Sequence, residues 1–213
     1  WTFLSIVFQT VFGVAIATGN TFICKPSEKD PSVPIRLAEL MMEAGAPAGV
    51  LNVVHGDKEA VDAILKDPDI KAVSFVGSTA IAEYVYMTGT AHGKRVQAMG
   101  GAKNHAIIMP DADLDQVVDD LIGAGYGSAG ERCMAIAVAV PVTDKLGDEL
   151  VRRLKPRVEE LKVSLPTDPQ ANYGPLVTRE HRDKVKGYID MGATAGAALG
   201  VDGRNLRMPG YES

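Results

Sequence analysis

The sequence predicts an α/β fold in which short parallel strands alternate with helices. Two observations lead to this prediction. Runs of four or five β-rich residues recur along the chain, and longer segments with helical spacing of apolar residues separate them. Such alternation is typical of βαβ units, which build parallel sheets covered by helices. We therefore expect a doubly wound parallel sheet that binds ligands at the C-terminal ends of its strands.

The first half of the chain contains the clearest examples. Its predicted strands are TFIC, LNVV and AVSFV. In the helical segment DPSVPIRLAELMMEAG, Asp30 is the expected N-cap, Pro31 suits the first turn and Gly45 ends the helix. A second helix, in DKEAVDAILKDP, carries an apolar stripe formed by Ala60, Val61, Ile64 and Leu65.

The same alternation resumes after Gly100 and Gly101. We take this glycine pair as the boundary between one domain of residues 1–99 and a second of residues 100–213. The second domain has predicted strands in HAIIM and AIAVAVPV and predicted helices in PDADLDQVVDDLIGAGYG and TREHRDKVKGYIDMG. Another helix, from about Asp144 to Leu161, is expected to be interrupted or kinked near Pro156.

Composition excludes several classes of protein. The 213 residues are 46% hydrophobic and 23% charged, which is typical of a globular chain with a core. A net charge of -5 without a basic run argues against a nucleic-acid partner. The apolar start, WTFLSIVFQTVFGVAIA, is short and broken by Gln9 and Thr10, so we expect a buried helix and no membrane span.

Two widely separated cysteines form neither a disulfide framework nor a metal cluster, and the four scattered histidines lack metal-ligand spacing. We therefore expect no metal, a reducing compartment and histidines that make local hydrogen bonds. Both ends of the chain stop abruptly, so we also expect a fragment of a longer protein.

The segment GERCMA makes Cys133 a candidate nucleophile. Arg132 beside it favours the thiolate, and nearby glycines let a substrate approach the backbone. Cys24 ends an apolar strand and is expected to serve packing. Read locally, however, a single cysteine near small residues is more often structural, and no histidine can be tied to Cys133 from sequence.

Two further segments follow strands. In SFVGST, Gly77 and Ser78 lie between a strand and a helix, where free N–H groups could meet a phosphate; an ordinary serine-capped turn is the alternative. In CKPSE, Lys25 and Glu28 could hydrogen-bond a ribose or could simply be surface charges.

Five segments taken in order resemble the aldehyde dehydrogenase superfamily: GNTFICKPSEKDP, SFVGST, GGAKNHAIIMPDADLD, GSAGERCMA and YGPLV. Within it, GAKNH and GERCMA are most similar to CoA-acylating methylmalonate-semialdehyde dehydrogenases. The resemblance covers nearly the whole chain. It implies a partial NAD-binding domain followed by a partial catalytic domain, truncated at both ends.

The resemblance also implies NAD as cofactor, CoA as co-substrate, a small acidic aldehyde as substrate and a role in valine catabolism. Full-length relatives are expected to be homo-oligomers in the cytoplasm, or in the mitochondrial matrix of a eukaryote. A hydrolytic NAD(P)-dependent enzyme and an inactive fragment that keeps a nucleotide-binding surface are the alternatives.

The resemblance assigns roles to individual residues. Cys133 matches the thiol that attacks the aldehyde carbon, and Thr2 takes the position of the oxyanion asparagine in a W-N-F-P-like stretch. Trp1 is matched to cofactor binding, and the pair Lys25 and Glu28 to the adenosine ribose. Phe75 is matched to the lining of the cofactor cleft, and Gly77 and Ser78 to the pyrophosphate.

One departure from the family pattern bears on mechanism. Hydrolytic relatives carry a glutamate in E-L-G-G that activates water, whereas VQAMGGAKNH places Ala98 or Met99 there. Neither side chain is a base, which favours release of the product to CoA. Arg132 either binds a substrate carboxylate or tunes the thiol and forms a salt bridge.

Overall fold

The computed structural model describes residues 11–208, in which helices and parallel strands alternate. Helix α1 is described from residue 11 to 17. The elements that follow are β1 (Phe22–Cys24), α2 (Ser32–Glu43), β2 (Leu51–Val53), α3 (Lys58–Lys66), β3 (Ala72–Val76), α4 (Thr79–Ala91), β4 (Arg95–Met99), β5 (Asn104–Ile108), α5 (Leu114–Leu121), β6 (Ile136–Pro141), α6 (Asp144–Glu159) and α7 (Arg179–Thr194). A π-helical turn, Ile122–Tyr126, and a 3₁₀ turn, Gly127–Gly130, connect α5 to the segment before β6.

The described strands form three two-stranded parallel sheets, β1–β2, β3–β4 and β5–β6. In each pair a helix connects the strands: α2, α4 and α5 respectively. The pairing aligns Phe22 with Leu51, and Ala72 with Arg95. The predicted α/β architecture with parallel strands is confirmed.

The chain divides into two compact units, the first ending at Gly101 and the second beginning at Ala102. In the first unit, Leu65 of α3 and Val85 of α4 are fully buried. A Cβ atom on Gly89 would lie 2.7 Å from Cγ2 of Val96, so α4 approaches β4 through a glycine. The core of the second unit joins β5 to α5 and α6 through Ile108, Val118, Leu121, Leu146 and Leu150.

The start of α2 differs from the prediction. Pro31 is its N-cap residue, in the right-handed helical region, and no side chain caps the helix. Asp30 Oδ1 is buried without a hydrogen-bond partner among the described residues, so the predicted Asp30 cap is wrong. The predicted end is right, because Gly45 adopts φ +94° directly after Ala44.

Two features of the strands and helices were not anticipated from sequence. Strand β4 is formed by RVQAM. Polar and apolar residues alternate in this segment over only five positions, which is too short to predict a strand by itself. Helix α6 continues through Pro156 and ends at Glu159, so it is not interrupted at the proline.

The apolar start of the chain is helical where the structure describes it. Residues 11–17 form α1, but Val14 is 66% exposed, so the expectation of a buried helix is wrong for this part. None of the described helices combines the length and the apolar character needed to cross a membrane.

Candidate functional site

Cys133 follows a backbone turn that is energetically costly. Ser128, Ala129 and Gly130 all adopt left-handed conformations, with φ of 53°, 55° and 72°. For residues with a Cβ atom this region costs about 1–2 kcal/mol each, and such strain persists only where the surroundings hold it. The turn therefore depends on contacts from other parts of the second unit.

Asn104, the first residue of β5, provides one of these contacts. Its side-chain Nδ2 donates hydrogen bonds to the carbonyl oxygens of Cys133 at 2.8 Å and Ala135 at 3.0 Å. One amide group thus fixes the backbone on the C-terminal side of the thiol. Sequence reasoning did not single out Asn104 as a site residue, although it lies in the recognised GAKNH segment.

Arg132 lies against the backbone of the 3₁₀ turn. A Cβ atom on Gly127 would be 3.1 Å from Nη1 of Arg132, so the guanidinium would have to shift slightly to accommodate a side chain there. Among residues 11–208, Arg132 forms no ion pair, so this part of the structure does not support a salt bridge as its role. Its charge is available to an external anion.

Glu131 connects the segment to α7. Its Oε1 lies 2.7 Å from Nε2 of His181, fifty residues further along the chain. The backbone N–H of His181 is in turn held by Thr178 Oγ1 at 3.2 Å. The expectation of local hydrogen bonds agrees with His92 and His105, which contact nearby carbonyls, but it is wrong for His181.

The two cysteines differ sharply in environment. Cys24 is 6% exposed, and its burial raises the pKa of the thiol to about 11 although the neighbouring Lys25 acts in the opposite direction. Cys133 is exposed. Only a thiolate is a good nucleophile, so Cys24 is chemically quiet at neutral pH, whereas Cys133 is accessible to a reagent or substrate.

Lys25 and Glu28 lie together at the C-terminal end of β1. Lys25 Nζ donates to the carbonyl oxygens of Pro26 at 2.6 Å and Gly56 at 2.7 Å, and Glu28 Oε2 is 3.7 Å from it. Gly56 follows β2, the partner strand of β1, so Lys25 ties together two strand ends of one sheet. The carboxylate of Glu28 remains open to solvent.

Gly77 and Ser78 connect β3 to α4. A Cβ atom on Gly77 would lie 2.5 Å from Cζ of Phe75, so the phenyl ring covers this glycine. Ser78 is the N-cap residue of α4, yet its hydroxyl makes no capping hydrogen bond. The first-turn N–H groups of α4 therefore lack a side-chain cap and could meet an anion.

The glycine pair after β4 packs closely against the same turn. Gly77 N–H donates to Met99 O at 3.0 Å, and a Cβ atom on Gly100 would lie 3.0 Å from Thr79 Cα. The residues before the pair, Ala98 and Met99, end β4 and carry no group that could act as a base.

Two predicted site residues, Trp1 and Thr2, lie outside the described residues. Within residues 11–208, no group of three or more His, Cys, Asp or Glu side chains is arranged to hold a metal ion.

Comparison with known proteins identifies relatives along the whole chain. Residues 1–212 match the profile described as "Aldehyde dehydrogenase family". A malonate-semialdehyde dehydrogenase from Pseudomonas aeruginosa is 57% identical over 213 residues, which are all of this chain and 43% of that protein.

Solved structures show the same relationship. A protein from Sinorhizobium meliloti 1021, described as a methylmalonate-semialdehyde dehydrogenase and complexed with NAD, superposes with a TM-score of 0.95 at 61% identity, over 99% of this chain and 43% of that chain. A methylmalonate-semialdehyde dehydrogenase from Oceanimonas doudoroffii gives 0.89 at 57% identity, over 91% and 40% respectively. The chain thus spans less than half the length of these relatives.

Proposed function

Because the chain belongs to the aldehyde dehydrogenase family, we propose that it forms part of an NAD-dependent, CoA-acylating dehydrogenase of methylmalonate or malonate semialdehyde. The observation that carries the proposal is the exposed thiol of Cys133, placed after a strained turn and held through its own carbonyl oxygen by Asn104. The named activities of the relatives from Pseudomonas aeruginosa and Oceanimonas doudoroffii support the choice of substrate.

In the proposed reaction, Sγ of Cys133 attacks the aldehyde carbon and forms a thiohemiacetal. Conversion of this intermediate into a thioester on Sγ requires loss of a hydride, and NAD, when bound, would supply the acceptor. The bond between the α-carbon and the substrate carboxylate breaks, CO₂ leaves, and the electron pair passes into the thioester carbonyl as an enolate that takes a proton from water at the α-carbon. The thiolate of CoA then attacks the thioester carbonyl, which releases propanoyl- or acetyl-CoA and restores the Cys133 thiolate.

The first unit provides residues suited to NAD. Lys25 and Glu28, brought together after β1, would hold the adenosine ribose. Gly77 and Ser78 at the uncapped N-terminus of α4 would hold the pyrophosphate, with Phe75 lining the cleft. Trp1 and Thr2 complete the proposal, Trp1 beside the cofactor and Thr2 as a hydrogen-bond donor to the oxyanion. Such a donor is worth about 10²–10³ in kcat.

The end of β4 supports CoA as the acyl acceptor. Hydrolysis of the thioester needs a base to activate water, and general-base catalysis contributes about 10²–10⁴ in rate. Ala98 and Met99 cannot supply it. The thiol of CoA loses its proton far more readily than water does, and the resulting thiolate is a strong nucleophile, so its attack depends less on a protein base.

Arg132 is the proposed recognition group for the substrate carboxylate. Arg132 directly precedes the nucleophile in the sequence, and its guanidinium has no ion-pair partner among the described residues. A guanidinium binds a carboxylate through two parallel hydrogen bonds. We further propose a homo-oligomeric, cytoplasmic enzyme, since two free thiols suit a reducing compartment.

The decisive experiment incubates the chain with malonate semialdehyde and NAD, with and without CoA, and measures NADH and acyl-CoA. Cys133→Ser is the control. We expect NADH formation that depends on CoA and, without CoA, an acyl adduct on Cys133 in the intact mass. Equal turnover with and without CoA would contradict the CoA-acylating proposal. Stoichiometric labelling of Cys133 by iodoacetamide, with neither NADH nor an acyl adduct, would instead show an inactive fragment.

A further inference from the structure

The segment that carries the thiol is anchored on both sides of Cys133. On its C-terminal side, Asn104 binds the carbonyl oxygens of Cys133 and Ala135. On its N-terminal side, the carboxylate of Glu131 meets His181 at 2.7 Å. The thiol thus lies between a contact to a strand and a contact to a helix, both in the second unit.

The anchor on the N-terminal side is placed where the backbone most needs one. Glu131 comes directly after the left-handed run of Ser128, Ala129 and Gly130. At the exit of this run, Glu131 N–H donates to Ser128 O at 3.0 Å and so continues the 3₁₀ turn by one residue. A strained turn of this kind keeps its geometry only when outside contacts over-determine it.

His181 is itself well placed to provide such a contact. It lies in the first turn of α7, a helix of 16 residues whose N-cap Thr178 accepts the backbone N–H of His181. A rigid helix therefore presents the imidazole, and the negative carboxylate of Glu131 sits near the positive end of the helix dipole. Both effects favour a fixed position for Glu131.

We infer that His181 is a positioning residue for Cys133. By holding Glu131, it keeps residues 130–133 in the arrangement that leaves the thiol of Cys133 exposed to a reagent or substrate. The inference rests on the proposed role of Cys133 as the nucleophile. His181 acts through Glu131 and does not contact substrate in this scheme.

The test compares three variants of the chain. His181→Ala removes the contact, His181→Gln keeps a side-chain N–H donor, and Arg182→Ala is the matched control, since it deletes an exposed ion pair with Asp183 in the same helical turn. The readouts are hydrogen exchange of residues 127–133 and the rate of Cys133 alkylation by iodoacetamide. Urea unfolding reports on global stability.

We expect His181→Ala to speed exchange in residues 127–133 and to slow Cys133 alkylation, each by about threefold to tenfold, the scale of one net hydrogen bond. His181→Gln should restore both rates, and Arg182→Ala should match the unsubstituted chain. Glu131→Ala should reproduce His181→Ala, and the double variant should add no further effect.

Two results would overturn the inference. One is equal exchange and alkylation rates in His181→Ala and Arg182→Ala. The other is a general loss of stability in His181→Ala that glutamine does not rescue, which would show an ordinary structural role. Failure of the nucleophile proposal looks different, because Cys133 of the unsubstituted chain would then form no acyl adduct with malonate semialdehyde and NAD, whatever residue 181 is.

Discussion

Asn104 donates from one side-chain amide to the carbonyl oxygen of Cys133, and to that of Ala135 two residues further on. The amide bridges the first strand of the second unit and the segment that carries the thiol. Neither carbonyl group belongs to a strand or helix at this point, so the side chain takes the place of a backbone partner.

This bridge leads to the first prediction. Asn104→Ala leaves two carbonyl groups without their partner and should lower the free energy of unfolding by about 1–3 kcal/mol, measured by urea unfolding. The rate at which iodoacetamide alkylates Cys133 should change as well. Asn52→Ala is the control, because Asn52 also donates to two carbonyl groups, those of Phe22 and Gly49, far in sequence from the thiol. An identical alkylation rate in both variants would contradict a specific link to Cys133.

The left-handed turn leads to the second prediction. Ala129→Gly removes a Cβ atom from a residue at φ 55° and should raise the free energy of unfolding by about 1 kcal/mol. Ala80→Gly, in the first turn of α4, should lower it by about 0.5–1 kcal/mol. Urea midpoints of the two variants should therefore move in opposite directions, and a shared downward shift would refute strain at Ala129.

Gly77 is the subject of the third prediction. Gly77→Ala places a methyl group 2.5 Å from the ring of Phe75, so the ring has to move. We expect weaker NAD binding by calorimetry and a lower melting temperature. In the double variant Gly77→Ala with Phe75→Leu, the smaller side chain should recover stability. Full stability and affinity in Gly77→Ala alone would show that the close approach is unimportant.

The fourth prediction concerns pH. Burial raises the pKa of Cys24 to about 11, so the folded chain keeps its proton where the unfolded chain has lost it. The unfolded state therefore binds fewer protons above the ordinary thiol pKa of about 8.5, and stability should fall as pH rises towards 11.

Urea unfolding at intervals across this range should show the loss, up to about 1.4 kcal/mol per pH unit, in the unsubstituted chain. Cys24→Ala lacks the thiol and should therefore lose less stability over the same range. Lysine titration is common to both proteins, so it cancels in the difference between their profiles. Parallel pH profiles for the two would mean that the thiol does not contribute.

Local patterns in the sequence predicted much of this fold and part of the candidate site. Helix α3 and the end of α2 at Gly45 follow from apolar spacing and glycine conformation. The strand before Gly77 and the start of the helix after it were likewise readable from the chain. Such features depend on neighbours within one or two helical turns.

The contacts that were missed depend on residues far apart in the chain. Nothing near Glu131 indicates that His181 will reach it across fifty residues. The amide of Asn104 similarly meets Cys133 only after β5 and β6 have paired. Asp30 shows the converse error, since α2 begins with Pro31 as its N-cap residue and this favourable capping side chain does not cap the helix.

The pairing of each strand with the next one along the chain also bears on how the protein is made. Phe22 meets Leu51, Ala72 meets Arg95 and Asn104 meets Ile136, so every described pairing closes over a stretch of about thirty residues or fewer, near the lower size of a βαβ unit. Each of these three pairings can therefore form once its second strand and the helices packed on it have left the ribosome, without waiting for a strand from a distant part of the chain.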